Sequence, residues 1–294
     1  MSQPKIVVGI DDTPASRAAL RWACAEAIAA GARLQVVHCR TGGASDLVHG
    51  NGTSADHHDL IHPAIAAATV AHPQLVIHGE VRTDRPAAAL VRASTTAAMV
   101  VVGSHTRSGI ETVLLGSTAL EVVSRAACPV IVVPPDPPRH PGRFADHVVV
   151  GIDGSEESHT ALEFGLAEAQ LHDRPLAAVF VEHGNSADSY FDRDLLETIV
   201  EYAQPGREML ARMVEPLAVR YPQVHVKEAL IPGRPLTGLM RVSAGAHLLV
   251  VGTRAHHALT GSRTGSTALA LARRAECPVA VVHRPAAEIP GTAV

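Results

Sequence analysis

The stretch "KIVVGIDDTPASRAALRWACAEA", residues 5 to 27, decides the fold because the chain writes it twice: "HVVVGIDGSEESHTALEFGLAEA" follows at residues 147 to 169. At an offset of 142, Gly9, Ile10, Asp11, Ala19, Leu20, Ala25 and Glu26 are matched by Gly151, Ile152, Asp153, Ala161, Leu162, Ala167 and Glu168. Each copy joins a short Val/Ile-rich run to a longer segment of helical character. Internal similarity on this scale fixes the architecture before any single residue is interpreted.

Further along the chain the offset becomes 149: Pro86 pairs with Pro235, Gly103 with Gly252, Gly116 with Gly265, and Cys128-Pro129-Val130 with Cys277-Pro278-Val279. The extra residues fall between 182 and 222, where the second copy carries a longer helical segment. Between the copies runs "PPDPPRHPGRFAD", residues 134 to 146, whose prolines favour a stiff, extended connector. The repeats are too long for a solenoid and read as complete domains at 1–135 and 147–285, with a linker at 136–146 and a tail at 286–294.

Within the first copy, "KIVVGI", "LQVVHC", "LVIHGEV", "MVVVGS" and "PVIVVP" are rich in Val and Ile, and several are apolar on both faces, as buried parallel strands are. Their alternation with helical segments predicts βαβ units and a doubly wound α/β sheet in each domain. Thr13-Pro14 reads as an N-cap followed by Pro at the first helical position. Ser155 reads as a cap with Glu156 and Glu157 behind it, and Pro86 and Pro235 each open a helix. Residues 42 to 73 look like a loop that Pro63 interrupts.

The bulk properties narrow the function. The formal charge is −4 and aromatic residues make up 3% of the chain, so neither phosphate neutralisation nor base stacking is expected, and no nucleic-acid partner. Four scattered cysteines, Cys24, Cys39, Cys128 and Cys277, form no CxxC pair and read as packing residues of a reduced, cytoplasmic protein. No leader-like segment opens the chain, and no apolar run approaches the roughly 20 residues that span a bilayer, so no membrane partner is expected. The 18 histidines include His58 and His62 at helical spacing and adjacent His256 and His257, but no Cys or carboxylate signature accompanies them. They read as surface residues, His38 reads as a satisfied core residue, and no metal site is expected.

In open α/β sheets ligands sit beyond the carboxyl ends of the strands, where strand order reverses. Asp11 and Asp153 follow a first strand, and Gly103 and Gly252 follow a fourth. Gly116-Ser117-Thr118 and Gly265-Ser266-Thr267 each precede an Ala/Leu-rich helix whose unsatisfied N–H groups favour an anion. Neither GxxxxGK[ST] nor GxGxxG occurs.

The doubled "VVGID", the spacing from Gly103 to Gly116 repeated from Gly252 to Gly265, the following Ser, and the closing "CPVIVV" and "CPVAVV" resemble the universal stress protein family in its tandem-domain form. The resemblance covers nearly the whole chain. It implies five-stranded, Rossmann-like domains of strand order 3-2-1-4-5, of the adenine nucleotide alpha hydrolase-like kind, and a stress-response regulator or sensor that binds ATP or a related adenine nucleotide. One subgroup binds through Gly-x2-Gly-x9-Gly-Ser/Thr. On that pattern Asp11 and Asp153 contact the nucleoside, and Cys39 and Val181 line the adenine pocket. Gly103, Gly116, Ser117 and Thr118, with Gly252, Gly265, Ser266 and Thr267, form the phosphate loops. Mg²⁺ can accompany ATP, and no protein ligand for it is implied.

The middle glycine of the pattern is Thr106 in one copy and Ala255 in the other. A β-branched Thr at positive φ is strained by roughly 1 to 3 kcal/mol, so the loop either binds less well or takes another shape. Arg107, Arg254 and Arg263 are candidates to pair with phosphate oxygens. Gly233 in "PGRP" replaces Asp84 in "TDRP", a carboxylate that would oppose a polyphosphate. Two other readings stay open. Asp11 and Asp153 suit Asx turns, Gly116 suits close helix packing, and the chain would then be an interaction scaffold; slow ATP hydrolysis is the weaker alternative. The closing strands "PVIVVP" and "PVAVVH" become edges in the implied order, so the halves are expected to pair through them as a pseudo-dimer, with homodimerisation of whole chains left open.

Overall fold

The computed structural model describes residues 3–40, 61–106, 113–135, 141–182, 196–253 and 266–283. The first copy runs β1 (Lys5–Ile10), α1 (Pro14–Ala29), β2 (Arg33–Cys39), α2 (Ile61–Ala71), β3 (Ile77–Arg82), α3 (Pro86–Ser94), β4 (Met99–Gly103), β5 (His105–Thr106), β6 (Val113–Leu114), α4 (Ser117–Arg125) and β7 (Val130–Val133). The second runs β8 (Val148–Ile152), α5 (Glu156–Leu171), β9 (Leu176–Glu182), α6 (Leu196–Ala218), β10 (Val226–Pro232), α7 (Pro235–Ser243), β11 (Leu248–Thr253), α8 (Ser266–Arg274) and β12 (Val279–His283).

The helix starts follow from local chemistry. Thr13 caps α1 by accepting from Ser16 N–H, with Pro14 at the first helical position, and Ser155 caps α5 by accepting from Ser158 N–H. Pro86 and Pro235 open α3 and α7. Pro63 differs from expectation: it lies in the first turn of α2, where its missing N–H breaks no helical hydrogen bond.

Pairing within the main sheet gives the order β10-β9-β8-β11-β12-β7-β4-β1-β2-β3. Each half is therefore a parallel sheet of order 3-2-1-4-5, as the sequence resemblance implies. The halves join through their last strands, which run antiparallel, with Val279 opposite Val132 and Val281 opposite Val130. That union leaves β3 and β10 as the outer edges.

Helices cover both faces. One core layer gathers Ala19, Ala23, Leu162 and Leu166 with the sheet side chains beneath them, and the other gathers Leu90, Val122, Leu239 and Leu271. Both layers run through the two halves without a break, so burial of apolar surface stabilises the union as well as each half. Side chains also cross the seam: His283 Nε2 lies 2.8 Å from the Val123 carbonyl, and His172 at the end of α5 reaches Glu26 on α1.

The described end of the inter-copy segment is not an extended connector. Gly142, Phe144 and Asp146 donate N–H bonds to the carbonyls of Ala244, Val242 and Gly245, and Phe144 is buried. Residues 141–147 thus fold back on the end of α7, because an aromatic ring beside a helix end with open carbonyls outweighs the stiffness of the preceding prolines. No helix among the described residues is long and apolar enough to cross a membrane.

Candidate nucleotide site

Strand order reverses between β1 and β4, and the cavity that opens there has a volume of about 310 Å³. It brings together six residues singled out from the sequence: Asp11, Cys39, Gly103, Gly116, Ser117 and Thr118. Its counterpart between β8 and β11 measures about 150 Å³ and gathers Asp153, Val181, Gly252 and Thr267. Ser266 opens α8 beside it. Gly233 lies outside both linings, in a turn at φ +129° after β10, where its N–H donates to the Glu182 carbonyl at 3.0 Å. Arg107, Arg254, Arg263, Gly265 and Ala255 lie outside the described residues.

Asp11 and Asp153 hold the turns that lead into α1 and α5. Asp11 Oδ1 accepts from the Thr13 N–H at 3.0 Å and the Thr13 hydroxyl at 2.5 Å; Asp153 Oδ1 does the same with Ser155. These are Asx turns that orient the capping hydroxyls. Asp11 nevertheless remains exposed at the cavity wall, so its carboxylate can serve the turn and meet a ligand.

Gly103 and Gly252 also have a packing reason. A Cβ on Gly103 would stand 2.5 Å from the Ala15 carbonyl carbon, and one on Gly252 would stand 2.3 Å from the Glu157 carbonyl oxygen. The first turns of α1 and α5 pass over these strand ends at a separation only glycine permits.

The start of α4 is different in kind. Gly116 is its N-cap at φ −62° and ψ 158°, and a glycine offers the helix no side-chain cap of its own. Among the described residues none accepts from the first-turn N–H groups of α4, at Ser117 and beyond, which leaves them to an outside acceptor at the positive end of the helix dipole. Thr106, where the sequence pattern calls for glycine, sits in β5 and pairs with Val113 of β6. Extended backbone suits a β-branched residue, so Thr106 itself needs no strained turn. Asp84 pairs with Arg92 and, at 3.7 Å, with Arg82, which offsets its charge.

The apolar part of the cavity includes residues that sequence reasoning did not single out: Gly9, Val37 and Leu90. The recurrence of Gly9 as Gly151 in "VVGID" was the available signal. Cys39 stands on the same wall, and burial first, then the charge of Asp84, pushes its thiol up, keeping it a neutral surface. His38 bonds the Ile10 carbonyl at 3.1 Å; the corresponding Phe180 is among the residues lining the smaller cavity.

The Universal stress protein family model matches residues 4–134 and 145–283. A universal stress protein of Mycobacterium tuberculosis strain H37Rv is 30% identical over 306 residues, covering 97% of this chain and 100% of the relative. The crystal structure of a functionally unknown protein from Pseudomonas aeruginosa PAO1 superimposes at a TM-score of 0.63 with 13% identity, covering 97% of this chain and 94% of that one. A universal stress protein solved in complex with cAMP is similar to one half, at 24% identity, a TM-score of 0.35, and coverage of 46% of this chain and 100% of that one. With the family model matched twice along its length, the chain belongs to the universal stress protein family and carries two copies of its domain in tandem.

Proposed function

We propose that the first domain binds ATP or a related adenine nucleotide and that the protein acts as a regulator or sensor through that binding. One observation carries the reading: the start of α4 at Gly116-Ser117-Thr118, with no cap among the described residues, faces a cavity lined by Ile10, Val37, Leu90 and Val102, by Thr13 and Ser16, and by the exposed carboxylate of Asp11. Apolar walls suit a purine, the carboxylate suits ribose hydroxyls, and open N–H groups suit phosphate. The volume of about 310 Å³ lies at the lower end of the roughly 300–1,000 Å³ of ligand pockets and accommodates a nucleoside with its phosphates directed toward α4. The second cavity, at about 150 Å³, is the weaker site on this reading. Mg²⁺, where present, rides on the phosphates. Binding, not turnover, is the proposed activity, and the thiol of Cys39 in the lining is held neutral by burial.

A second reading has its own support. Gly103 and Gly252 are explained by packing, and Asp11 and Asp153 by their turns, so these residues would persist in a scaffold that binds no nucleotide. Ser117→Asp separates the two. A carboxylate in the first turn favours α4 by about 0.3–1 kcal/mol but repels phosphate. Calorimetric titration with ATP is expected to show binding to the parent and at least tenfold weaker binding to Ser117→Asp, with thermal stability unreduced. No binding by the parent, or equal binding by both, rejects the nucleotide reading in favour of the scaffold.

A further inference from the structure

Antiparallel pairing of β7 with β12 relates the halves by a pseudo-twofold axis, and such an axis brings equivalent residues together. Glu26 of α1 and Glu168 of α5, matched positions of the repeat, meet on one face of the sheet at the seam. Only 1% of Glu26 and 5% of Glu168 is exposed. His172, one turn beyond Glu168, joins them, its Nε2 2.7 Å from Glu26 Oε2 and 3.8 Å from Glu168 Oε2.

The polar groups do not balance. Two buried carboxylates meet His172, whose ring packs 4.5 Å from that of His247, and Glu26 Oε1, Glu168 Oε2 and His247 Nε2 have no hydrogen-bond partner among the described residues. Buried carboxylate oxygens without donors are costly, and an isolated pair of negative charges more so. Glu168 Oε2 points at the imidazole without bonding to it, which leaves a coordination position facing the centre of the group.

We infer that Glu26, Glu168 and His172 form a site for one divalent transition cation, of the zinc type, that clamps the two domains across their seam. One ligand atom from each residue lies within 4.8 Å of the other two. Around a tetrahedral ion about 2.0 Å from each ligand, these atoms would settle roughly 3.3 Å apart, so the His172–Glu26 contact opens slightly and the Glu168 contact closes. Two carboxylates and a neutral imidazole neutralise a 2+ ion and satisfy the orphaned oxygens. The set contains no thiolate, which suits Zn²⁺ with water as the fourth ligand. His172 is 14% exposed on its side chain, which provides the route of entry. The clamp does not depend on the nucleotide reading, because it lies on the opposite end of α1 from Asp11.

The test uses the full chain, stripped with chelator, dialysed and titrated with ZnCl2 alone. Bound metal is read by mass spectrometry after gel filtration, and stability by thermal denaturation. The expected result is one zinc per chain and a rise in melting temperature, with affinity at least tenfold lower and the thermal shift lost in Glu168→Gln and, should that variant fold poorly, in His172→Asn. Failure of the parent to retain zinc overturns the inference. So does zinc retained equally by the variants, which would place it on surface histidines, or a Glu168→Gln chain more stable than the parent with or without zinc, which would show a carboxyl pair sharing a proton.

Discussion

Replacing Gly103 by alanine tests whether the repeated loop glycines are held by packing or by a ligand. The new methyl would stand 2.5 Å from the Ala15 carbonyl carbon, 2.6 Å from its oxygen and 2.9 Å from its Cβ. Carbons in contact sit about 3.5–4.0 Å apart, so strand and helix must part by roughly 1 Å. Neither gives way easily. β4 is hydrogen-bonded to β1 on one side and β7 on the other, and the start of α1 is held by the Asp11 turn and the Thr13 cap. Overpacking against such backbone costs about 1–3 kcal/mol. Gly9→Ala is the matched comparison, because its methyl meets Leu90 Cδ1 at 2.8 Å, the end of a side chain free to rotate into the cavity. That substitution should cost less than about 1 kcal/mol. Urea denaturation without nucleotide measures both, as midpoint shifts at a common slope. A Gly103→Ala midpoint level with the parent, or a greater loss in Gly9→Ala, would refute the packing argument and return Gly103 to the ligand.

Two other predictions concern chemistry that solution probes reach. Cys39 is half-buried at the cavity wall, whereas Cys24, Cys128 and Cys277 are buried, the last two with thiols pushed up to about 12. Iodoacetamide at pH 8 should therefore modify Cys39 first, and saturating ATP should slow that reaction several-fold; peptide mass spectrometry giving equal rates with and without ATP would place the nucleotide elsewhere. His247 packs its ring 4.5 Å from that of His172, and burial, then the charge of His172, lowers its pKa from 6.5 to about 4. A histidine held neutral in the folded state supports stability above pH 6.5 and loses that support as pH falls toward 4, by on the order of 2–3 kcal/mol. Burial and the Glu26 charge raise the pKa of Glu168, so its contribution runs the opposite way, present at low pH and lost as pH rises. The metal-free parent must therefore be compared with His247→Phe, whose stability should fall less steeply between pH 6.5 and 4. Parallel profiles would show that His247 does not titrate on unfolding.

The repeat, the buried strands and the helix caps were legible because each is a local signal: a Val/Ile run, Thr-Pro before an Ala-rich segment, Ser followed by two glutamates. Strand order and the β7–β12 union came through the family resemblance, with the exposed apolar edges supplying the physical reason. What the sequence hid was tertiary. Pro63 reads as a breaker until its place in the first turn of α2 is known, and Phe144 reads as part of a linker until it is found buried against the second domain. Thr106 looks like a damaged loop only if the loop needs left-handed backbone there, and the β5–β6 pairing removes that need. Glu26 and Glu168 carry no local mark of burial, since a glutamate in an Ala-rich helix ordinarily faces water. Only the pseudo-twofold axis brings them inside.

That axis also limits what recurrence can say about function. Duplicating a domain copies its structural residues along with its functional ones, so agreement between the halves cannot by itself mark a site. The identical pairs bear this out: Gly103 and Gly252 make room for a helix, and Asp11 and Asp153 each fix a turn. Some cavity-lining positions differ between the copies. Cys39 corresponds to Val181 in the alignment of the copies, and His38, which bonds the Ile10 carbonyl, corresponds to Phe180 at the wall of the smaller cavity. Recurrence therefore marks the shared frame, while the cavities it leaves differ, at about 310 Å³ in the first half against about 150 Å³ in the second.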